Sequence, residues 1–518
     1  MLTRFLPGII AGNQPGEMTT RLIQALLNDR AYDHDTRDIH VIETHISWVI
    51  CTGSYVYKIK KPVDLGFLDF SSLDKRRYYC HEELRLNQIL APELYLDVVA
   101  ITGTPEHPHM AGHGTAIEYA VKLKQFDTAC QFDRLLADSK LDEHHIDEVV
   151  DTIVRFHENT PRLKHSENGF ANTAHKPVRE NYRQADRYKL TMDQRERVNK
   201  LRQWHDAAFA RLSPIIEQRL ADGYVRECHG DLHLGNIVYY QNKVILFDRL
   251  EFDPQLRFID VINEIAFLLM DLEAHRQQGL AHRFLSAWLQ RSGDYAGLYL
   301  LDYYKCYRSM VRAKVALIQG SEAEFLRYLA LAETCTRERF AALILTHGLS
   351  GSGKSTITRP LAPLINAIIV RSDIERKRHL QGVSPDLYGT EATRQTYSLL
   401  ATAAEAIIGT GYHAIVDATF LKAQQRQLFM DLAQRLKRPC IILDFQAPRE
   451  LLVHWINERM EKGTDVSDAT VEILDQQIRN QEPLTEYEQQ HALTVDTSQN
   501  IEIADLASAV MSYIDPHR

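Results

Sequence analysis

Residues 341–346 read AALILT and run into Gly348-Leu349-Ser350-Gly351-Ser352-Gly353-Lys354-Ser355-Thr356. This is GxxxxGK[ST] set between an apolar strand and a helix, the context that separates a phosphate cradle from a chance glycine turn. Glycines let backbone N–H groups converge on phosphate oxygens, and the helix that follows adds the positive end of its dipole. In such a loop the Lys354 ammonium reaches the outer phosphates and the Ser355 hydroxyl ligates Mg²⁺. Gly348, Ser350, Gly351, Ser352, Gly353 and Thr356 complete the candidate cradle, so the implied cofactors are ATP and Mg²⁺.

Two segments further on refine this reading. AIIVRSDIERKR predicts a strand ending at Asp373 and then a cluster of bases. A carboxylate at the carboxyl end of a parallel strand is placed to take a proton from an acceptor hydroxyl, and it also suits a helix cap. HAIVDATF predicts a second strand ending at Asp417, positioned to hold metal-bound water, to contact substrate, or to cap. Strand–helix alternation continues from 341 to 518 and predicts an α/β domain on a parallel sheet.

Working back from 341, a different pattern appears. A helix is expected near 18–30, then short strands at 41–43, 48–51 and 55–60, a charged helix at 73–90, and strands at 96–101 and 116–123. The loop between the last two, GTPEHPHMAGHG, reads as a solvated turn rather than a metal site. Helices follow from Asp133, broken by a polar stretch at 165–179 and a strand pair at 236–240 and 243–247. The expectation is a two-domain chain, α+β over 1–340 and α/β over 341–518.

Within the first domain, Cys228-His229-Gly230-Asp231-Leu232-His233-Leu234-Gly235-Asn236 precedes VILFDRLEFD. HxDxxxxN followed by a hairpin and a Phe-Asp pair has the logic of a kinase catalytic loop. Asp231 is placed for the acceptor hydroxyl, and Asn236 and Asp248 for the metals that bridge ATP phosphates.

Composition narrows the classes of partner. The 518 residues carry a formal charge of −9, and 341–518 has 17 Lys/Arg against 22 Asp/Glu. That balance argues against nucleic acid as the main partner. No apolar run approaches the ~20 residues of a membrane span. The N-terminal stretch shows no cleavage pattern, and seven scattered cysteines without a CxxC pair suit a reducing, cytoplasmic setting.

The C-terminal residues resemble the small P-loop kinases that include polynucleotide kinases, zeta-type toxins, and shikimate and gluconate kinases. The matches are GLSGSGKST, RSD-x-x-RK, VDATF-x5-R ending at Arg426, and ERMEKGTDVSDA. The resemblance implies a lid arginine at Arg459; where the pattern has a second arginine four positions earlier, this chain has Trp455. It also makes Arg376 and Lys377 candidate acceptor-side bases.

The first domain resembles the aminoglycoside phosphotransferase superfamily, most sharply at 228–251, which implies a bilobal kinase-like fold. Carried over by position, Asp231 is the catalytic base, and Lys58 in YVYKIKK grips the α/β-phosphates, with Lys60 as the alternative. Glu83 pairs with that lysine, with Glu82 as the alternative, and residues 118–126 form the hinge to adenine. No GxGxxG precedes the lysine strand, which leaves the turn at 45–47 to cover the phosphates. The whole layout resembles bacterial bifunctional aminoglycoside phosphotransferase/ATP-binding proteins, and implies ATP-dependent transfer to a small-molecule hydroxyl at two nucleotide sites. Two other arrangements remain open: one half as a nucleotide-sensing regulator of the other, or the P-loop half as a nucleic-acid end-processing kinase.

Overall fold

The computed structural model describes residues 17–64, 68–166, 169–382, 387–462 and 470–515, with the side chains of Glu17 and 459–462 excepted. The chain divides into two compact units, one formed by 1–277 with 300–336, the other by 278–299 with 337–518.

The first unit opens on the helix Glu17–Ala25, whose Leu22 and Ile23 are buried. An antiparallel sheet follows: β1 (His40–Glu43), β2 (Ser47–Cys51), β3 (Tyr55–Lys60), β4 (Tyr95–Thr104), β5 (His107–Met110) and β6 (Ala116–Lys124), in the order β1-β2-β3-β6-β4-β5. The helix Leu73–Asn87 starts at Ser72, whose side chain accepts from the Lys75 N–H, and it packs on β6. β5 corrects the expected solvated loop. Pro108 and Met110 turn inward while His107 and His109 face water, and Met110 pairs with Ile101. A proline fits there because β5 is an edge strand.

The polar stretch expected at 165–179 is corrected from 170 onward. Residues Phe170–Ala185 form a helix that buries Phe170, Ala171, His175, Val178 and Tyr182, while Lys176 and Arg179 point to solvent. Its apolar residues are few but helically spaced. Beyond the long helix Met192–Ala221, β7 (Val225–Glu227) leads into the 229–236 loop, followed by the hairpin of β8 (Ile237–Tyr240) and β9 (Lys243–Leu246). The short strand β10 (Phe258–Asp260) pairs with β7 and feeds the buried helix Val261–Ala274.

The second unit is built on five parallel strands, β11 (Leu343–His347), β12 (Ala367–Arg371), β13 (His413–Asp417), β14 (Cys440–Gln446) and β15 (Ala492–Asp496), in the order β12-β13-β11-β14-β15. The central strands are buried on both faces, which explains their unbroken apolar runs. The expected division at 340/341 needs one correction. The helix Gln278–Ser292 belongs to this second unit, where it packs against β12 and its His282 Nε2 lies 2.7 Å from the Ala367 carbonyl.

Candidate nucleotide and transfer sites

In the second unit β11 ends at the glycine loop and the helix Lys354–Leu364 starts within it. Gly348 has φ of 142° and its missing Cβ would stand 2.6 Å from the Phe445 carbonyl, so no other residue fits. Lys354 Nζ donates to the carbonyls of Gly348 (3.0 Å) and Leu349 (2.6 Å) and to Ser352 Oγ (3.3 Å), folding the cation back across the loop. Ser350 is held by Gln477 on the helix Val471–Asn480. Its N–H donates to Gln477 Oε1 at 2.8 Å, and Gln477 Nε2 donates to its Oγ at 2.9 Å.

Thr346 sets the neighbouring strand end. Its Oγ1 donates to the Ala418 carbonyl (2.7 Å) and accepts from the Ala418 N–H (3.1 Å). That pins Asp417 beside the loop, and Ser355 Oγ donates to Asp417 Oδ2 at 2.6 Å. A hydroxyl and a carboxylate so joined are the hard oxygen donors Mg²⁺ takes, so these two residues fit the ion. Asp373 is placed differently from expectation. β12 stops at Arg371, which occupies the cap position of the helix Ser372–Leu380, and Asp373 lies in its first turn rather than at its cap.

Other resemblance-derived residues separate into distinct roles. Arg426 is fully buried, clasps Glu488 through two hydrogen bonds (2.7 and 3.0 Å), and donates to the Phe420 carbonyl at 3.0 Å. It is a structural residue. Arg376 stacks on Tyr388, and Lys377 lies on the same helix as Asp373. Arg459 is carried by the helix Arg449–Lys462, with its side chain outside the described residues, as are residues 463–469 of the ERMEKGTDVSDA match.

The first unit gathers its candidates from three distant stretches. Lys58 Nζ lies 2.6 Å from Asp248 Oδ1 and 2.9 Å from Glu83 Oε1. Lys60 is fully buried, 2.7 Å from Glu83 Oε2, and is also paired with Glu251. The two lysines share one strand face, so Glu83 bridges both, and they divide the work: Lys58 meets Asp248, Lys60 meets Glu251. Glu82 pairs instead with Arg85 (2.7 Å) and Arg257 (3.0 Å). Burial would lower the Lys58 ammonium, yet Asp248 and Glu83 hold it well above the usual lysine range. Asp248 sits at φ of 67°, a left-handed conformation rare outside glycine and concentrated at working sites. Burial would raise its carboxyl, but the Lys58 charge outweighs this and keeps it ionised.

Asp231 and Asn236 meet as well: Asn236 Nδ2 donates to the Asp231 carbonyl (2.9 Å) and to Oδ2 (3.2 Å). Burial acts to raise the Asp231 carboxyl, but the His233 hydrogen bond and charge, with help from Arg308, set it below the ordinary range. A carboxylate kept ionised can accept a proton. Asn236 and Asp248 supply oxygen donors of the type Mg²⁺ takes.

Four residues that hold this loop have no signature in the sequence. Glu264 Oε2 accepts from the Gly230 N–H (2.8 Å) and Arg308 Nη1 donates to the Gly230 carbonyl (3.1 Å). Asp271 Oδ2 accepts from the Leu234 N–H (3.0 Å). Arg249, fully buried, donates to the carbonyls of Leu86 (2.9 Å) and Glu227 (2.7 Å), locking the Glu83 helix to the strand before the loop.

Comparison with known proteins bears on the two units unequally. Residues 343–484 match the AAA domain family, so the second unit carries an AAA domain with a P-loop. An uncharacterized protein of Mycobacterium tuberculosis (strain ATCC 25618 / H37Rv) is 27% identical over 451 residues, covering 84% of this chain and 88% of that protein. Among solved structures, a gluconokinase from Sinorhizobium meliloti is similar at 15% identity and a TM-score of 0.26, covering 35% of this chain and 94% of its own. The Mycobacterium tuberculosis APS kinase CysC, solved with AMPPNP and APS, is similar at 16% identity and a TM-score of 0.27, covering 35% of this chain and 99% of its own. Among the described residues, no helix is long and apolar enough to cross a membrane.

Proposed function

We propose that the protein is an ATP-dependent phosphotransferase with a nucleotide site in each unit, acting on hydroxyl groups of small molecules. The observation that carries the reading is the meeting of Lys58, Glu83 and Asp248 from three separate stretches, beside an Asp231 held by Asn236. Nothing in core packing calls for that set, whereas phosphate binding and proton transfer call for each member. In the second unit, the P-loop with Ser355 joined to Asp417 supplies the corresponding parts. When bound, Mg²⁺ would neutralise phosphate charge, held by Ser355 and Asp417 in one unit and by Asn236 and Asp248 in the other.

The remaining assignments are positional. Lys58 and Lys354 orient phosphate oxygens. Asp231 takes the acceptor proton in the first unit, and Asp373 is assigned the same part in the second. Arg459 is assigned to the lid by resemblance.

The test is a metabolite-pool incubation with labelled ATP, using the parent protein, Lys354→Ala and Asp231→Ala. Products lost only in Lys354→Ala belong to the second unit, and products lost only in Asp231→Ala to the first. If every product survives Asp231→Ala and none survives Lys354→Ala, the first unit regulates and does not transfer.

A further inference from the structure

Next to Gly230 the first unit has a small recess walled by Phe170, Gln255, Phe258, Tyr304, Tyr307 and Arg308. Its enclosed volume, about 20 Å³, has room for one compact group rather than a whole sugar. Three observations describe what that group must be.

The first is Arg308. It is 6% exposed, and its guanidinium donates to Asn263 Oδ1 (2.8 Å) and the Gly230 carbonyl (3.1 Å), with the Phe267 and Tyr307 rings at 4.6 and 5.4 Å. All of these are neutral; its charge is felt by the Asp231 carboxylate, but no ion pair of Arg308 with a carboxylate occurs among the described residues. A buried cation so placed favours an anionic partner. The second is Tyr304, 1% exposed, whose phenolic oxygen has no hydrogen-bond partner among the described residues. Buried polar atoms are almost always paired, so an orphan hydroxyl in a recess wall is a donor waiting for a ligand. The third is Asp260. This acid of the recess is taken up by Arg219 through bonds of 2.7 and 2.8 Å, so no carboxylate is left there to attract a cation.

We infer that this recess is a subsite for the anionic head of the acceptor, a carboxylate or a phosphate monoester, leaving the acceptor hydroxyl to Asp231. The inference rests on the phosphotransfer reading of the first unit and adds a substrate class to it: small hydroxylated anions, and not polycationic amino sugars. Arg308 links the two ends of the site, because it walls the recess on one side and holds the peptide before Asp231 on the other. Its charge also reaches the Asp231 carboxylate.

The test uses the full chain carrying Lys354→Ala, which silences the P-loop. Three probes of one shape are titrated calorimetrically: 4-(hydroxymethyl)benzoate, 4-(hydroxymethyl)phenyl phosphate and 4-(hydroxymethyl)benzylamine. At least one anion is expected to bind about tenfold or more tighter than the amine, and which anion does so identifies the head group. Tyr304→Phe removes a hydroxyl that has no hydrogen-bond partner among the described residues, so its unfolding midpoint should stay or rise while anion affinity falls about tenfold. Arg308→Gln should erase the preference for anions. Equal or tighter binding of the amine, binding of no anion, or an anion affinity untouched by Tyr304→Phe overturns the inference. Mg·ATP is titrated into the same protein. If it does not bind while the anion preference persists, the phosphotransfer reading fails and the recess remains an anion site.

Discussion

Lys58 and Asp248 stand 190 positions apart in the chain, yet their charged atoms lie 2.6 Å apart. Lys60, two residues on, is enclosed between Glu83 and Glu251. The two lysines should therefore fail in different ways. Lys60→Met strands the buried Glu251, although Lys58 still meets Glu83, and should destabilise the unit by about 3–5 kcal/mol. Lys58→Met should lower the unfolding midpoint less, because the Asp248 it leaves behind is more open to water than Glu251, while Mg·ATP binding to this unit collapses. Thermal unfolding and calorimetry on both variants, with Lys354→Ala in place, check the contrast. Equal losses on both axes would defeat the division of labour.

In the second unit, Ser355→Ala and Asp417→Asn break the donor pair without touching the loop backbone. Each should leave metal-free ATP binding intact and reduce the gain on adding Mg²⁺ by about tenfold, near 1.4 kcal/mol. Titration with and without Mg²⁺, with Asp248→Asn silencing the other site, reads this directly. If metal-free binding drops as well, the pair shapes the loop and does not serve a metal.

Arg426 is expected to behave as a structural residue although it closes a motif shared with kinases. Arg426→Leu leaves Glu488 buried without its partner and should cost about 3–5 kcal/mol. Turnover per folded molecule should hold, measured by active-site titration against circular dichroism. A fold-neutral loss of turnover would return Arg426 to the active site.

Acid should weaken the first unit through His205. Its Nε2–H donates to the Tyr303 carbonyl (3.1 Å) and its Nδ1 accepts from the Tyr182 hydroxyl (2.7 Å), so the ring is held neutral. Burial pushes it down to about 4, against the pull of the Tyr303 carbonyl. Between about 6.5 and 4 the unfolded chain takes up a proton that the folded chain refuses. Stability is thus full above 6.5 and declines by at most about 3 kcal/mol toward pH 4. His205→Gln should flatten that part of the midpoint-versus-pH curve, and an unchanged slope would sink the assignment.

The two halves were legible in the sequence to different depths, for a physical reason. The P-loop is local: nine consecutive residues and their flanks contain the strand, turn and helix. The meeting of Asp231 with Asn236 was also legible, because the loop and its hairpin fix their spacing. The choice between Lys58 and Lys60 was not, since a strand with period 2 turns both to the same face and only the tertiary partners differ. Glu264, Arg308 and Arg249 were invisible, because each acts on a backbone group far away in the chain and reads locally as an ordinary helix or loop residue. β5 was missed because a proline and two histidines mask an alternating edge strand. The helix Phe170–Ala185 was missed because its polar face outnumbers its apolar one.

The placement of Gln278–Ser292 in the second unit bears on the protein's ancestry as much as its packing. A head-to-tail joining of two genes leaves one passage of chain between the products, whereas here the chain passes between units at 277/278, 299/300 and 336/337. Excision at residue 340 would strip the second unit of the helix over β12, and of Tyr295, whose hydroxyl lies 3.3 Å from the buried Glu375. It would leave the first unit with that helix as an unmatched apolar segment, including Phe284 and Trp288. The halves are thus interlaced along one polypeptide, and neither could be traded between genomes as a simple cassette.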